Sequence, residues 1–522
     1  MQINLPKGIQ DFAKFKENNL LYVDKTKEIL DFIQRGTYIF FSRPRRFGKS
    51  LLCSTIKYLY EGRRELFENT YIEDKIDWQT IQRPVIYIDF GSIIFKDMDL
   101  QSALELYLEN ISNHLKVPLK YSTPTANLQY LIQYFSEKDK KPVIIIDEYD
   151  KGLTDYLENE QQTIFESNRE FLRGFYGIFK SNDAHLHQVI ITGISKYGKI
   201  SIFSQLNNVI DYSLAPQYAT ICGYTSQELS QYFDIPLQEI SKKMNVSKEE
   251  LLNELQKYYN GYSFDGENTI YNPYSMLNFF ELQVFRNYWY DTGTPYFLLK
   301  MLKKQKVKFE ELEKIKASIN VLDMTDILID NPIAMMFQTG YLTIKKAIQK
   351  KFKMFYILDF PNLEVKQAFS QYLLSNYLQI GNDRVSINIA SALFDAFEEK
   401  KFEKIIEILK NVYSNIPYQI YEKSEAYYHT IFHVTMNSIG LEIDSEVQTN
   451  IGRIDSVLFT EEAVFIFEFK LDENEKVALA QIENNQYHLK YKHLALETYL
   501  IGINFSSQKR NILSYEVIKI EK

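Results

Sequence analysis

The sequence predicts an α/β protein: a parallel sheet with crossover helices first, then a helical and mixed stretch, then a smaller α/β unit. Three observations carry this expectation. Over the first 215 residues, short β-branched runs alternate with amphipathic stretches, the pattern of a parallel sheet. From about Thr225 the texture changes to charged, leucine-spaced segments such as SKEELLNELQKYY. From residue 411 onward alternating strands return around helical segments.

Taken in order, the first part (residues 1–215) holds four runs that read as buried strands. They are YIFFS at Tyr38 to Ser42, VIYIDF at Val85 to Phe90, VIIID at Val143 to Asp147, and QVIITG at Gln188 to Gly193. Residues 216–345 carry YNPYSMLNFF, NYWYDTGTPYFLLKML and MMFQTGYLTI, aromatic-rich segments divided by turn residues, which read as a helical and small-sheet subdomain. Residues 346–410 read as a connector of polar-faced helices. Residues 411–522 read as a helix over Ser424 to Ser438, the strands GRIDSVLF and AVFIFEFKL, a helix from about Glu475 and the strand TYLIGINF. Such a βαβ-containing unit is long enough to be its own domain.

Composition narrows the classes. The chain has 522 residues with 19 Gly and 13 Pro. Together these are about 6%, roughly half the usual share, which excludes collagen-like and linker-dominated proteins. Cys53 and Cys222 lie too far apart for a disulfide framework or a cysteine zinc site, and read as buried thiols of a reducing compartment. The start MQINLPKGIQDF lacks a signal-peptide pattern, and no apolar run approaches the roughly 20 residues of a membrane span. The expectation is a cytoplasmic protein without a membrane partner. The 39 Tyr, 36 Phe and 2 Trp fall mostly at core spacings, as in FIFEF, and read as packing before base stacking. A formal net charge of -8 gives no global pull toward nucleic acid, but the sign is local. Residues 1–70 hold 13 Lys plus Arg against 8 Asp plus Glu, whereas residues 411–522 hold 10 against 16.

The first chemical constellation follows the strand at Tyr38 to Ser42. The run RPRRFGKSLLCSTIKYLY places Gly48, Lys49 and Ser50 at the opening of an apolar helix. A strand, a tight loop and a helix N-terminus gather backbone N–H groups around one point, where the helix dipole adds positive potential. Lys49 then neutralises β- and γ-phosphate charge and the Ser50 hydroxyl joins a Mg²⁺ shell. The full P-loop pattern wants Gly six positions before the lysine, where this chain has Arg43. VIIID supplies the second half: Asp147 at a strand end to reach Mg²⁺ through water, and Glu148 to orient the attacking water. Thr192 to Ser195 forms a third polar strand end placed to sense a γ-phosphate, and the strand ending in Asp89 reads as an extra strand between cradle and acid.

The second constellation lies in AVFIFEFKL. Strand alternation puts Phe465, Phe467 and Phe469 on one face and Ile466, Glu468 and Lys470 on the other, with Glu468 and Lys470 about 7 Å apart. Asp455, thirteen residues before Glu468, suits the neighbouring strand. Two carboxylates beside a lysine can bind Mg²⁺ while the ammonium orients or deprotonates water at a phosphodiester. An exposed Glu468–Lys470 ion pair is the plainer alternative, worth under about 1 kcal/mol.

The segments GIQDF, YVDKT, FSRPRRFGKS, IDEYD, TGISK, YNGY, YNP, DTGTP and FQTGYLTI together resemble the AAA-ATPase-like family of bacterial proteins with a C-terminal nuclease-like domain. The resemblance covers nearly the whole chain. It implies that RPRRFGKS is the family's usual loop, so Arg43 departs from the general P-loop and not from the family. Arg45 and Arg46 are then phosphate or nucleic-acid contacts, with a solvated basic loop as the equal alternative. The last unit resembles the PD-(D/E)xK nuclease superfamily. That implies Asp455 and Glu468 as metal ligands, Lys470 as the catalytic lysine, Glu425 as an additional helical acid, and Gln481 near the site with Tyr487 as a companion. Ile454 stands where the nominal motif has Pro. A rival metal set of Glu425, His429 and His433 recurs at four-residue spacing on one helix but lacks a fourth ligand. A polar helix face, with His429 beside the nuclease site, is the simpler reading.

The combined expectation is a P-loop NTPase sheet with a helical middle subdomain and a smaller restriction-endonuclease-like α/β domain. It is expected to bind and hydrolyse ATP and to act as a Mg²⁺-dependent nuclease on DNA or RNA, DNA ahead of RNA. The resemblance alone implies a role in defence or mobile-element biology. The alternatives are a nucleotide-dependent switch or nucleic-acid-binding module with weak or no catalysis, and an inactive interaction scaffold. Oligomeric state stays open.

Overall fold

The computed structural model describes residues 4–94, 98–157, 162–196, 206, 208–289, 298, 301–302, 309–323, 331–378, 383–416, 421–449 and 452–520. The DTGTP segment lies outside the described residues. The chain divides into two compact units, Met1–Lys306 with Lys314–Asn362, and Val307–Glu313 with Leu363–Lys522.

In the first unit, β1 (Tyr38–Ser42), β2 (Val85–Asp89), β3 (Val143–Asp147), β4 (Gln188–Gly193) and β5 (Ile210–Asp211) form one sheet in the order β2-β3-β4-β1-β5. Every pairing is parallel. Near-continuous Ile, Val and Phe runs make β1, β3 and β4 buried along their whole length, as expected for strands covered on both faces. Helices Leu100–Leu115, Pro124–Ser136 and Gln162–Ser181 share a core with Phe40, Ile88, Ile146 and Ile191. The strand order corrects one expectation. The strand between β1 and β3 is β4, which carries Thr192, and the Asp89 strand lies at the sheet edge. Parallel pairing brings Ser42, Asp147 and Gly193 to one end of the sheet, the carboxyl end where ligands of open α/β sheets bind.

The middle helices start on strong caps. Thr225 with Glu228 and Ser247 with Glu250 form capping boxes for Ser226–Tyr232 and Lys248–Tyr259, and Asn272 caps Pro273–Leu282. Leu229, Leu255, Phe279 and Phe280 share a core with Val23. One of the motifs is anchored here: Lys25 of YVDKT is buried and donates to both Glu228 oxygens, at 2.5 and 2.7 Å, and to the Thr220 carbonyl at 2.8 Å. A second, antiparallel sheet of β6 (Ile315–Ser318), β7 (Thr343–Lys350) and β8 (Lys353–Asp359) has the order β6-β8-β7. The helix Pro332–Thr339 before it ends at Gly340, with φ of 95°. A Cβ at Gly340 would come within 2.8 Å of Pro44, so the glycine of FQTGYLTI makes room for the phosphate loop.

The second unit is a sheet of β9 (Glu442–Gln448), β10 (Arg453–Phe459), β11 (Ala463–Leu471), β12 (Glu497–Ser506) and β13 (Asn511–Ile520), ordered β13-β12-β11-β10-β9. Only β11 and β12 are parallel, and the helix Glu475–Asn484 supplies the crossover this requires. The alternation read in AVFIFEFKL holds: Phe465 meets Phe397 at 5.3 Å and Phe467 meets Phe432 at 4.8 Å, while Ile466 packs with Leu479 and Ile482. The helices Leu363–Leu378, Asp383–Glu398 and Phe402–Ser414, read from sequence as part of a connector, group with this sheet. So does the segment Val307–Glu313: Glu313 pairs with Lys366 at 2.9 Å and His433 at 3.3 Å.

Arg43 shows why the loop after β1 tolerates the loss of the first glycine. Its guanidinium is buried and donates to the Ser42, Ser213 and Tyr218 carbonyls at 2.9, 2.7 and 2.9 Å, between the rings of Phe41 and Phe264. Burial pushes its pKa down to about 10, with nearby Cys222 and Asp211 opposing. The side chain therefore staples the loop to the β5 region. Arg43→Gly, which restores the general motif, is expected to destabilise the first unit by about 2–4 kcal/mol, because it strands buried carbonyls and opens a cavity. A thermal melt of the full chain that is unshifted by the substitution would refute this role.

Candidate nucleotide and metal sites

The phosphate loop is built by backbone geometry. Gly48 has φ of 91° and precedes the helix Lys49–Tyr60 without any side-chain cap, so the first N–H groups of that helix are not occupied by a capping side chain. Lys49 is buried and its ammonium donates to the Arg43 and Pro44 carbonyls at 2.9 and 3.0 Å. Burial lowers its pKa, and Asp147, Glu148 and Asp150 pull it back up. Ser50 is half-buried beside it. Arg46, with φ of 68°, lies over the Tyr274 ring at 5.1 Å. A cavity of about 680 Å³ opens over the loop, with Arg46, Gly48, Lys49, Ser50, Glu148 and Tyr224 in its walls.

The strand-end acids are held from beneath. Asp147 is fully buried; one oxygen accepts from the Thr192 hydroxyl at 2.5 Å and from the Glu148 N–H at 3.0 Å, and the other has no partner. Thr192 is thus tied to Asp147. Glu148 takes a left-handed φ of 52°. Burial raises its pKa, with Lys49 opposing and Asp147 adding to the rise. Asp150 was not singled out in the sequence, yet it is buried and accepts from the Ser195 N–H at 2.9 Å and hydroxyl at 2.7 Å. It locks the TGIS turn to β3, a link that the matching polar strand ends IDEYD and TGIS foreshadow.

In the second unit, antiparallel register pairs Ser456 with Phe467, which brings Asp455 alongside Glu468. Asp455 accepts from the Phe469 N–H at 2.8 Å. Glu468 is 1% exposed, so the plain exposed ion pair is corrected to a buried one. One Glu468 oxygen accepts from the Gln481 amide and, at 3.4 Å, from the Lys470 ammonium, which also donates to the Phe469 carbonyl at 2.9 Å. The other oxygen is buried without a partner. Burial and the neighbouring Asp455 push the Glu468 pKa up to about 8, and Lys470 opposes. Asp455 is also raised, first by burial, against the Phe469 N–H and Lys470.

Glu425 opens the helix Glu425–Ser438. Burial raises its pKa, Lys470 lowers it and Asp455 raises it, which places it in the same electrostatic neighbourhood. Among the described residues, no three His, Cys, Asp or Glu gather as a metal-binding group, so Glu425 does not join Asp455 and Glu468 at ligand distance. The same finding overturns the Glu425, His429, His433 set. Nor is that helix face polar and solvated: both histidines are buried, His429 bonded to the Ser456 hydroxyl at 2.9 Å and His433 facing Glu313. Tyr487 donates to the Arg453 carbonyl at 3.0 Å and so pins the start of β10, two residues before Asp455. Ile454 is a core residue.

The fold and the two sites define a class: a P-loop-type α/β module joined in one chain to a nuclease-type α/β unit. Residues 6–203 match the family described as predicted AAA-ATPase, and residues 423–515 match the PD-(D/E)XK nuclease superfamily. An uncharacterized protein in the vnfD 5′ region of Azotobacter chroococcum mcd 1 is 33% identical over 523 residues, 98% of each chain. The chain therefore belongs to the AAA-ATPase-like family that carries a C-terminal PD-(D/E)XK nuclease superfamily domain. Similar solved structures include Cdc6p from Pyrobaculum aerophilum, with a TM-score of 0.27, 10% identity and coverage of 69% of this chain and 95% of that one. The Aeropyrum pernix ORC2 protein gives a TM-score of 0.25 and 10% identity over 65% of this chain and 87% of that one.

The raised Glu468 carboxyl has a signed consequence. Folding lifts its pKa above the unfolded value, so the native state holds the proton longer, and stability falls as pH rises from the usual carboxylate range toward about 8. In EDTA, Glu468→Gln is expected to flatten this fall for the second unit and to stabilise it by about 1–3 kcal/mol near pH 8. Melting curves of variant and wild type with the same pH slope would show that Glu468 is not the buried titrating group.

Proposed function

We propose that the first unit binds ATP with magnesium at residues 43–50 and hydrolyses it, and that the second is a magnesium-dependent phosphodiesterase acting on DNA or RNA, DNA ahead of RNA. Glu468 carries the reading: a buried carboxylate with one oxygen held by Gln481 and Lys470 and the other unpartnered, beside Asp455. A buried anion with an unused lone pair is costly unless a cation completes it. Asp147 has the same character in the first unit, so both donor sets fit a hard divalent ion. Asp455 and Glu468 would hold it in the nuclease, and Ser50 and Asp147 in the ATPase. Bound magnesium supplies Lewis-acid polarisation of a phosphate oxygen and a water of lowered pKa.

The chain's own residues do the rest. Lys470 is fixed between Glu468 and the Phe469 carbonyl, where its ammonium orients the attacking water and offsets charge at a phosphodiester. Gln481 holds the Glu468 rotamer, and Glu425 balances Lys470 from the helix. In the first unit, Lys49 exchanges its two loop carbonyls for β- and γ-phosphate oxygens. Arg46 lies at the same cavity wall as a further phosphate contact, and Thr192 fixes Asp147. Glu148, with its pKa raised, suits a general base for the hydrolytic water.

A second reading is a nucleotide-dependent switch with little turnover. It draws on Arg43, whose buried guanidinium stiffens the loop that a general P-loop leaves to glycine. Binding of ATP without release of phosphate would favour it.

Lys49→Ala in the full chain is expected to weaken binding of a fluorescent ATP analogue by about 100-fold and to leave divalent-dependent cleavage measurable. Glu468→Gln and Lys470→Ala are expected to lower cleavage by about 10²-fold or more with ATP binding intact. Cleavage that survives Glu468→Gln would place the nuclease site elsewhere.

A further inference from the structure

We propose that the sheet β6-β8-β7 is a nucleic-acid-binding surface: Phe352 stacks on an unpaired base, and Lys346, Lys350 and Lys353 follow the phosphate backbone. The inference rests on the reading that the chain acts on nucleic acid, and supplies the grip that the acidic C-terminal residues lack.

The register sorts the lysines onto one face. Lys350 pairs with Lys353, Ile348 with Phe355, and Lys346 with Ile357, while Lys316 of β6 also pairs with Ile357. These residues alternate with Gln349, Ala347, Met354 and Tyr356, so one face carries Lys316, Lys346, Lys350 and Lys353 around half-buried Ile348 and Phe355. Lys316 already lies over the Phe355 ring at 4.9 Å. No Asp or Glu occurs between Thr343 and Leu358 to offset this charge. Like charges directly across a strand pair, as at Lys350 and Lys353, are unfavourable in the free protein and are relieved by a bound polyanion.

The hairpin tip points the same way. The connection between Lys350 and Lys353 is Lys351-Phe352, where two-residue hairpin turns favour Gly, Asn or Asp. Lys351 takes φ of 54°, a left-handed conformation that a lysine rarely adopts. Phe352 is 102% exposed and packs on none of the described residues. Turn geometry and core packing therefore do not account for these residue choices. A fully exposed aromatic ring flanked by lysines is the pairing of stacking platform and electrostatic track that binds single strands.

The test uses the full chain in EDTA, so that no cleavage occurs, with fluorescence anisotropy of labelled oligo(dT) and of a duplex across a salt series. The triple variant K346Q/K350Q/K353Q is expected to weaken binding at low salt and to reduce the slope of log K against log salt by about 2. Phe352→Ala is expected to weaken single-strand binding about tenfold and duplex binding within about twofold, and Phe352→Trp to restore it. Unchanged melting and ATP-analogue binding establish that each variant is folded. Wild type that binds oligo(dT) while both variants match it in affinity and slope would refute the hairpin alone. Wild type that binds neither strand nor duplex would refute the nucleic-acid reading with it. Polyglutamate that competes as well as oligo(dT) would overturn the proposal in favour of an acidic polypeptide partner.

Discussion

Both units depend on holding a carboxylate in the interior, at the last residue of β3 and within β11. Asp147 and Glu468 each sit at the limit of an apolar run, each nearly without solvent contact, each with one oxygen bonded and the other unpartnered. Burying such a group is unfavourable by several kcal/mol before compensation. The surrounding structure supplies the partial compensation: Thr192 and the Glu148 N–H for Asp147, Gln481 and Lys470 for Glu468. Thr192 reaches Asp147 from the neighbouring strand and Gln481 reaches Glu468 from the crossover helix, whereas the Glu148 N–H and Lys470 belong to the acids' own chain segments.

The residues around the first acid show how a departure from a general motif is absorbed. In a P-loop the leading glycine lets the backbone approach phosphate. Here Arg43 instead turns its guanidinium inward to carbonyls near β5, and Pro44 packs against the space left by Gly340. Trp289 donates to the Arg45 carbonyl at 3.2 Å. The loop is therefore braced from the middle segments of its own unit, and the glycine of FQTGYLTI becomes intelligible as a clearance for Pro44. Lys25 with Glu228, and Lys196 with Asp211 at 2.9 Å, are buried ion pairs that tie YVDKT and TGISK into the same framework. Among the described residues, no helix is long and apolar enough to cross a membrane.

Charge is distributed unevenly along the chain, and that distribution has a physical use. An acidic stretch holding paired carboxylates repels a polyanion in the absence of metal. The first 70 residues and the β7–β8 hairpin carry the opposite sign. A protein whose net charge is -8 can in this way keep its solubility and still offer local positive surfaces.

Much of this was legible in residue order, for reasons that are local. Strand limits at Tyr38–Ser42, Val143–Asp147, Gln188–Gly193 and Ala463–Leu471 follow from unbroken apolar runs, and the facing of Glu468 and Lys470 follows from the two-residue repeat of a strand. Edge strands β9 and β13 escaped, because EIDSEVQ and NILSYEVIKI mix polar and apolar residues on partly exposed surfaces. The sequence by itself determined which acids stand at strand ends and which lysines stand near them, since periodicity and motif spacing are properties of short segments. Tertiary structure alone decided that β4 divides β1 from β3, that Arg43 turns inward, that His429 and His433 bond to Ser456 and Glu313, and that the helices from Leu363 to Ser414 belong with the second sheet. Those outcomes depend on which distant segments pair and in what register, and no local pattern encodes a partner tens or hundreds of residues away.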